Sequence, residues 1–266
     1  MPFPPFFHPT GCLRIPTELP AFSYAHARTW RDRRLSVSES LRTSDAPPLQ
    51  FTLDAIHGLA PQLMEASQHT IIQPRSHDDH SIALCIPPPP PLPIPTHVLR
   101  ITFSVPNEKT DVPFHGLVWS LKCRILACLY PSTCDSGYLP SPSPSPPTVP
   151  LPLPLGSTVR MVSLPIVTLS IPFRTVWPVL YTYIHANSTA ALLSNLITYP
   201  ITPPAFDSQS TELGTVIARL ERVRRLWHDV NALEVEDEEL WETMARAWSV
   251  LVAKLGEKLS ENPQPP

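Results

Sequence analysis

Four contiguous residues, His77-Asp78-Asp79-His80, are of the types that hold a divalent metal: two imidazoles and two carboxylates. A metal-dependent enzyme would use His77, Asp79 and His80. Contiguous ligands cannot surround an ion unaided, so the run reads as an exposed polar loop. Cys123, Cys128 and Cys134 are spaced five and six apart. Structural zinc prefers closer pairs and a fourth ligand, so Cys123 and Cys128 read as small apolar core residues. His115 and His185 lie beside helically patterned stretches. Either could act as a general base, but a structural histidine at a helix end is the expected role. There is no Gly-x-Ser-x-Gly elbow, no Gly-x-Gly-x-x-Gly loop and no Walker loop. With only 7 glycines, most plausible active-site loops are missing. The expectation is a non-enzyme with no catalytic residue, no cofactor and no metal.

Three further features could carry binding. Arg28 to Ser36 contains Arg28, Arg31, Arg33 and Arg34. It reads as a solvated tail, with a nuclear-import signal or a basophilic kinase site at Ser36 as the sharper alternatives. Arg219, Arg222, Arg224 and Arg225 crowd one helical segment. They form either a solvated face or a site for an acidic partner. Pro87 to Pro95 must be polyproline II. It is a stiff linker, or else a ligand for SH3, WW or profilin-type grooves, which would make the chain a proline-presenting adaptor.

These residues must be positioned by ordered blocks, and composition says where those are. Of 266 residues, 37 are proline, far above the usual 5% or so. Proline cannot lie inside helices or central strands. Its clustering therefore implies ordered blocks between proline-rich linkers. A formal charge of −3 predicts no general affinity for nucleic acid or acidic membranes, and no reader motif for nucleic acid occurs. The five cysteines follow no disulfide framework. The start lacks the basic region and apolar core of a signal peptide. The longest apolar run, Leu151 to Phe173, is interrupted by prolines. A nuclear or cytoplasmic protein is expected.

Residues 1–50 read as disordered. Within 51–96, Leu53, Ile56, Ala60, Leu63 and Met64 mark one amphipathic helix, followed by the polyproline linker. Residues 97–197 read as an α+β core. His97–Phe103 alternates as a strand, and a turn follows at Pro106-Asn107. A helix is expected from Phe114 to Leu129, on a stripe of Leu117, Val118, Leu121, Ile125, Cys128 and Leu129. A low-complexity insertion spans 135–157. Two strands are expected at Arg160–Leu164 and Ile166–Ile171, split by Pro165. Thr175 would cap a helix with Pro178 in its first turn and Val176, Trp177, Leu180, Tyr181 and Ile184 on its inner face. Asn187-Ser188 breaks it, and a second helix carries Leu192, Leu193, Leu196 and Ile197. A linker spans 198–210. A helical hairpin covers 211–257, with Asp237 as N-cap of its second helix and Gly256 as its stop. Residues 258–266 read as a disordered tail.

Two resemblances follow from these blocks. Phe114-His115 with Val118 and Leu126, and later Trp177-Pro-Val-Leu180-Tyr181-Thr-Tyr183-Ile184-His185, are similar to the helix signatures of BTB/POZ domains. That likeness implies a small sheet with helices over residues 97–197. The insertion departs from the pattern. Phe114-His-Gly-Leu-Val-Trp-Ser-Leu121, Pro165-Ile-Val-Thr-Leu169 and Leu226-Trp-His-Asp-Val-Asn-Ala-Leu233 through Trp241 resemble the clampless proteins of basidiomycete fungi. This resemblance covers most of 97–256. It implies a regulator of sexual development, needed for clamp cells and dikaryon growth and tied to mating-type homeodomain regulators. It brings no catalytic residue. The expected function is a non-enzymatic regulatory factor acting through protein partners.

Overall fold

In the computed structural model the described residues are 6, 14–20, 49–72, 81–86, 94–129, 150–152, 158–198 and 208–261. His77–His80, Ser36, Arg28–Arg34 and Pro87–Pro93 lie outside them.

Helix α1 (Leu49–His69) is followed by β1 (Ile71–Ile72), β2 (Ser81–Ile86), β3 (His97–Val105) and β4 (Glu108–Phe114). A short α2 (Gly116–Ser120) and a 3-10 turn (Arg124–Leu129) come next. Then follow β5 (Pro150–Pro152), β6 (Thr158–Phe173), α3 (Trp177–Ala186), α4 (Thr189–Thr198), α5 (Ser208–Ala232) and α6 (Glu238–Glu261). The fold is α+β. A six-stranded sheet has the order β1-β2-β6-β3-β4, with β5 on β6. β3 and β4 form an antiparallel hairpin, and β6 runs parallel to β3.

The two expected strands around Pro165 are one strand, β6. Proline is tolerated there because β6 changes partner at that point. Residues 160–165 pair with β2, and residues 166–173 pair with β3. Pro165 sits exposed at the handover, where its missing N–H removes little from either ladder. The linker expected after α1 thus includes β2, an inner strand, and the expected insertion contributes β5. On β3, Leu99, Ile101 and Phe103 are buried as the alternation predicts. Val98 on the other face is buried too, against Leu164. Arg100 reaches across to Asp111 through two bonds of 3.0 and 3.2 Å.

The helix expected from Phe114 is shorter. Phe114 ends β4, and helix α2 stops at Ser120. Backbone pairing to the α5–α6 connection takes over. Cys123 bridges to Val235, Glu236 N–H donates to the Lys122 carbonyl, and Arg124 N–H donates to the Glu234 carbonyl. Gly116 opens α2 where any larger residue would have to push the His97 ring aside. A Cβ there would lie 2.6 Å from His97 Nδ1, while Gly116 N–H donates to Thr96 Oγ1 at 2.9 Å.

One apolar cluster runs from the sheet through all the later helices. Trp177 (7% exposed), Leu180 and Ile184 (both 0%) lie inside it, as their stripe predicts. Thr175 is not the cap. It lies in a 3-10 turn, Arg174–Val176, and Val176 holds the N-cap position. Asn187 ends α3 in the left-handed conformation (φ 49°), and Ser188 Oγ accepts the Ala191 N–H of α4. α5 packs on β6 and α6, and α4 packs on α6. The hairpin therefore shares the core of the sheet rather than standing apart.

Gly256 does not stop α6, which continues to Glu261. Lys258 holds this last stretch through Glu212 and Glu261. Nothing lies within 4 Å of a Cβ built at Gly256. Gly256→Ala should therefore stabilise the chain by about 0.5–1 kcal/mol, the usual helix-interior difference. A urea titration showing destabilisation would mean that α6 ends at that glycine.

Candidate interaction site

The arginine row lies on α5, where a 3.6-residue period spreads its four members around the helix. All four are partly buried, so they are not the freely solvated face that their spacing suggests. Arg224 pairs bidentately with Glu221 at 2.7 Å, and Arg225 joins the same carboxylate at 2.9 Å. Burial opposes ionisation of Glu221, but these bonds win and hold its carboxyl below the usual range. Both guanidinium groups also lie over the Phe173 ring, at 5.8 and 5.5 Å. Arg222 donates to Asn195 Oδ1 at 2.9 Å, linking α5 to α4. An acidic partner at Arg224 or Arg225 would have to compete with Glu221. The row ties α5 to its surroundings first.

Arg222 and Asn195 also border a cleft of about 240 Å³ between α3, α4 and α5, lined among others by Pro178, Thr182, Ala186 and Ala191. The titratable groups lining it are Tyr183 and Arg222. Burial and then the Asp237 carboxylate push the Tyr183 phenol well above its usual range. Neither of these two groups is poised to exchange protons near neutrality.

His115 and His185 do not reach this cleft. Both are buried, and their pKa values are lowered to about 4, by burial first. His185 Nδ1–H donates to the Tyr181 carbonyl at 2.9 Å, and His115 Nε2 lies 3.2 Å from the Leu63 carbonyl. Trp119 stacks edge-on to His185 at 6.0 Å. These are packing histidines at helix ends. Cys123 is likewise in the core, where burial raises its thiol. Among the described residues no group of three or more His, Cys, Asp or Glu is arranged to hold a metal. The side chain of Cys128 lies outside the described residues.

The buried polar node that sequence reasoning missed centres on Lys122. Its side chain is only 8% exposed. Nζ donates to Asp237 Oδ2 at 2.9 Å and to Asn187 Oδ1, and lies 5.0 Å from the Tyr183 ring. Asp237 meanwhile accepts the Leu240 N–H, the N-cap role its position predicts. A single lysine thus fastens the α3–α4 corner to the α5–α6 connection. The acidic link between two amphipathic stretches was its only visible trace, and the link gives no hint of which cation answers it.

The start of the chain also differs from expectation. Phe6 and Arg14–Pro20 are not loose, because they lie across the hairpin. Phe6 is 2% exposed, 5.7 Å from the Trp248 ring, and Ile15 and Leu19 pack on the core. The indole N–H of Trp248 donates to the Pro16 carbonyl at 3.1 Å, and that of Trp227 donates to the Pro20 carbonyl at 3.0 Å.

The hairpin with its preceding helix is also where the chain matches known sequences. Residues 191–265 match the family described as Clampless protein 1 C-terminal domain. Over these residues the chain is similar to the clampless family. The match begins within α4 and takes in all of α5 and α6. It contains the arginine row, Asp229, Asp237 and the two tryptophans under the N-terminal segment. No curated protein and no solved structure matches the chain. The BTB/POZ resemblance over residues 97–197 gains no support from a structural match. It rests on the quoted motifs and on the order strand, turn, strand, helix, strand, helix. Among the described residues no helix is long and apolar enough to cross a membrane.

Proposed function

We propose that this chain is a non-enzymatic regulatory factor of fungal sexual development, acting through protein partners during clamp-cell formation and dikaryon growth. The observation that carries this reading is the clampless-family match of the hairpin region. The physical arrangement supports it. The titratable groups of the α3–α5 cleft are a tyrosine and an arginine, the two buried histidines are sealed in the core, and the hairpin presents a partly buried cationic row beside exposed helix surface. Partners of the mating-type homeodomain class fit the family resemblance, and a nuclear or cytoplasmic site of action fits such partners. The test is affinity purification of the tagged full chain from mating cells, with deletion of its gene in parallel. Recovery of a developmental transcription regulator and loss of clamp cells are expected. Normal clamp cells in the deletion strain, with no regulator recovered, would overturn the reading.

A further inference from the structure

The N-terminal segment rests on the hairpin in the way a peptide rests on its receptor. Two indole donors on different helices, Trp227 on α5 and Trp248 on α6, reach carbonyls four residues apart, those of Pro20 and Pro16. Each indole can only donate, so it selects an acceptor. A proline has no N–H to enter a sheet ladder or helix, so proline-containing backbone presents acceptors that are free for such donors. The apolar anchors fall in register with the two prolines: Ile15 and Leu19 directly precede Pro16 and Pro20, and both pack on the core cluster. Upstream, Phe6 is buried between Trp248 at 5.7 Å and the Arg224 guanidinium at 5.7 Å, and Arg14 N–H closes back on the Phe6 carbonyl at 2.8 Å. The result is a reading frame of aliphatic-Pro-x-x-aliphatic-Pro with an aromatic anchor ahead of it.

We infer that the α5–α6 surface built on Trp227 and Trp248 is a receptor site for proline-rich peptides of this pattern, and that Phe6 and Arg14–Pro20 are its tethered occupant. The inference deepens the interaction function proposed above by naming a partner class, and it rests on that reading only for its biological setting. The contacts are main-chain acceptors and small apolar pockets, which a segment of another protein can supply as well as this chain can. The segment is part of the same chain, so the tethered copy competes at an effective concentration that can reach the order of millimolar. In the intact chain the site is therefore closed to weak competitors. Cutting or displacing the tether opens it.

The test uses the full chain with a specific protease site inserted after Ser40. A fluorescein-labelled peptide copying residues 4–22 is titrated before and after cutting, and anisotropy is read. Cutting should strengthen apparent binding at least tenfold. Trp227→Phe and Trp248→Phe keep an aromatic ring but lose the donor and part of the bulk, and each should weaken binding to the cut chain at least roughly fivefold, the size of one hydrogen bond. A labelled peptide with Pro16 and Pro20 replaced by alanine should bind more weakly than the native one. Leu19→Asp in the uncut chain, which loosens the tethered copy, should admit the native peptide without any cut. The inference is overturned if the cut chain takes up no peptide, or if cut and uncut chains bind equally. Equal binding of the alanine peptide would overturn the proline class. Loss of helical circular dichroism on cutting would show that Phe6 and Arg14–Pro20 are part of the fold rather than an exchangeable occupant. None of these failures touches the purification and deletion test of the developmental role.

Discussion

Trp177→Ala is expected to destabilise the protein by about 3–5 kcal/mol, the usual loss for a large aromatic ring removed from a packed core. The residue opens α3 at the junction of sheet and helices, 7% exposed. Its ring stacks on Trp119 at 5.2 Å, with Tyr181 at 5.8 Å and the Phe103 edge at 6.4 Å. These neighbours come from α2, α3 and β3, so no single element can move in to fill the space. Trp119 is itself fully buried and held edge-on by Phe114 at 6.2 Å. It would lose its stacking partner without gaining a substitute. Trp177→Phe should recover much of the loss, because Phe keeps an aromatic face against Trp119. Urea unfolding of the two variants checks this. A change near zero for Trp177→Ala would place that face in solvent and reopen it as a binding surface.

Much of this arrangement was legible in the sequence. A helical stripe of large apolar residues has few other uses, and Trp177, Leu180, Ile184, Leu240 and Trp248 all lie where their periods put them. The capping role of Asp237 followed from local chemistry alone. Three things did not follow, each for a reason beyond local pattern. Leu121 onwards keeps a helical stripe, yet the backbone at Cys123 pairs with Val235, a residue far along the chain. Long-range pairing overrides periodicity, and nothing within a helical window announces it. Pro165 looked like a strand break because its missing N–H is a local fact, whereas the change of partner along β6 is a property of the whole sheet. The N-terminal segment looked structureless because its apolar residues have no period of their own. Ile15, Leu19 and Phe6 are ordered by Trp227 and Trp248, which lie more than 200 positions away. For the candidate site the arginines were visible as types. Their pairing to Glu221 has its trace in the i,i+3 and i,i+4 spacings, which allow the contact but do not dictate it.

Stability should be greatest near pH 6.5 and fall on both sides, for opposite reasons. His115 and His185 have their pKa values lowered from 6.5 to about 4, burial being the larger cause in both. In the unfolded chain they take up protons near pH 6.5, while in the folded chain they refuse them until about pH 4. Stability is therefore lost as pH falls through that window. His57 and His97 are lowered by burial as well and lean the same way. Asp229 acts in reverse. It is fully buried on α5, and burial raises its carboxyl from 3.8 to about 8, despite the Phe173 N–H that donates to Oδ1 at 2.9 Å. Among the described residues its second oxygen has no hydrogen-bond partner. The folded chain keeps this proton up to about pH 8 while the unfolded chain releases it near 3.8, so stability is lost as pH rises between those values. From about pH 4 to 6.5 the two buried histidines outweigh the one carboxyl, giving a net gain of roughly 1.4 kcal/mol per pH unit. From 6.5 to 8 Asp229 alone of these three groups acts, and about 2 kcal/mol should be lost through it. Asp229→Asn keeps an oxygen for the Phe173 N–H and cannot ionise. It should flatten the alkaline side and steepen the acid side to about 2.8 kcal/mol per unit, since nothing then opposes the histidines. His185→Leu should remove about one proton from the acid side and leave the alkaline side alone. Urea midpoints measured from pH 4.5 to 8.5 on the three proteins separate these effects. An unchanged slope above pH 6.5 in Asp229→Asn would show that Asp229 is ionised in the folded protein at neutrality, with a partner for its second oxygen.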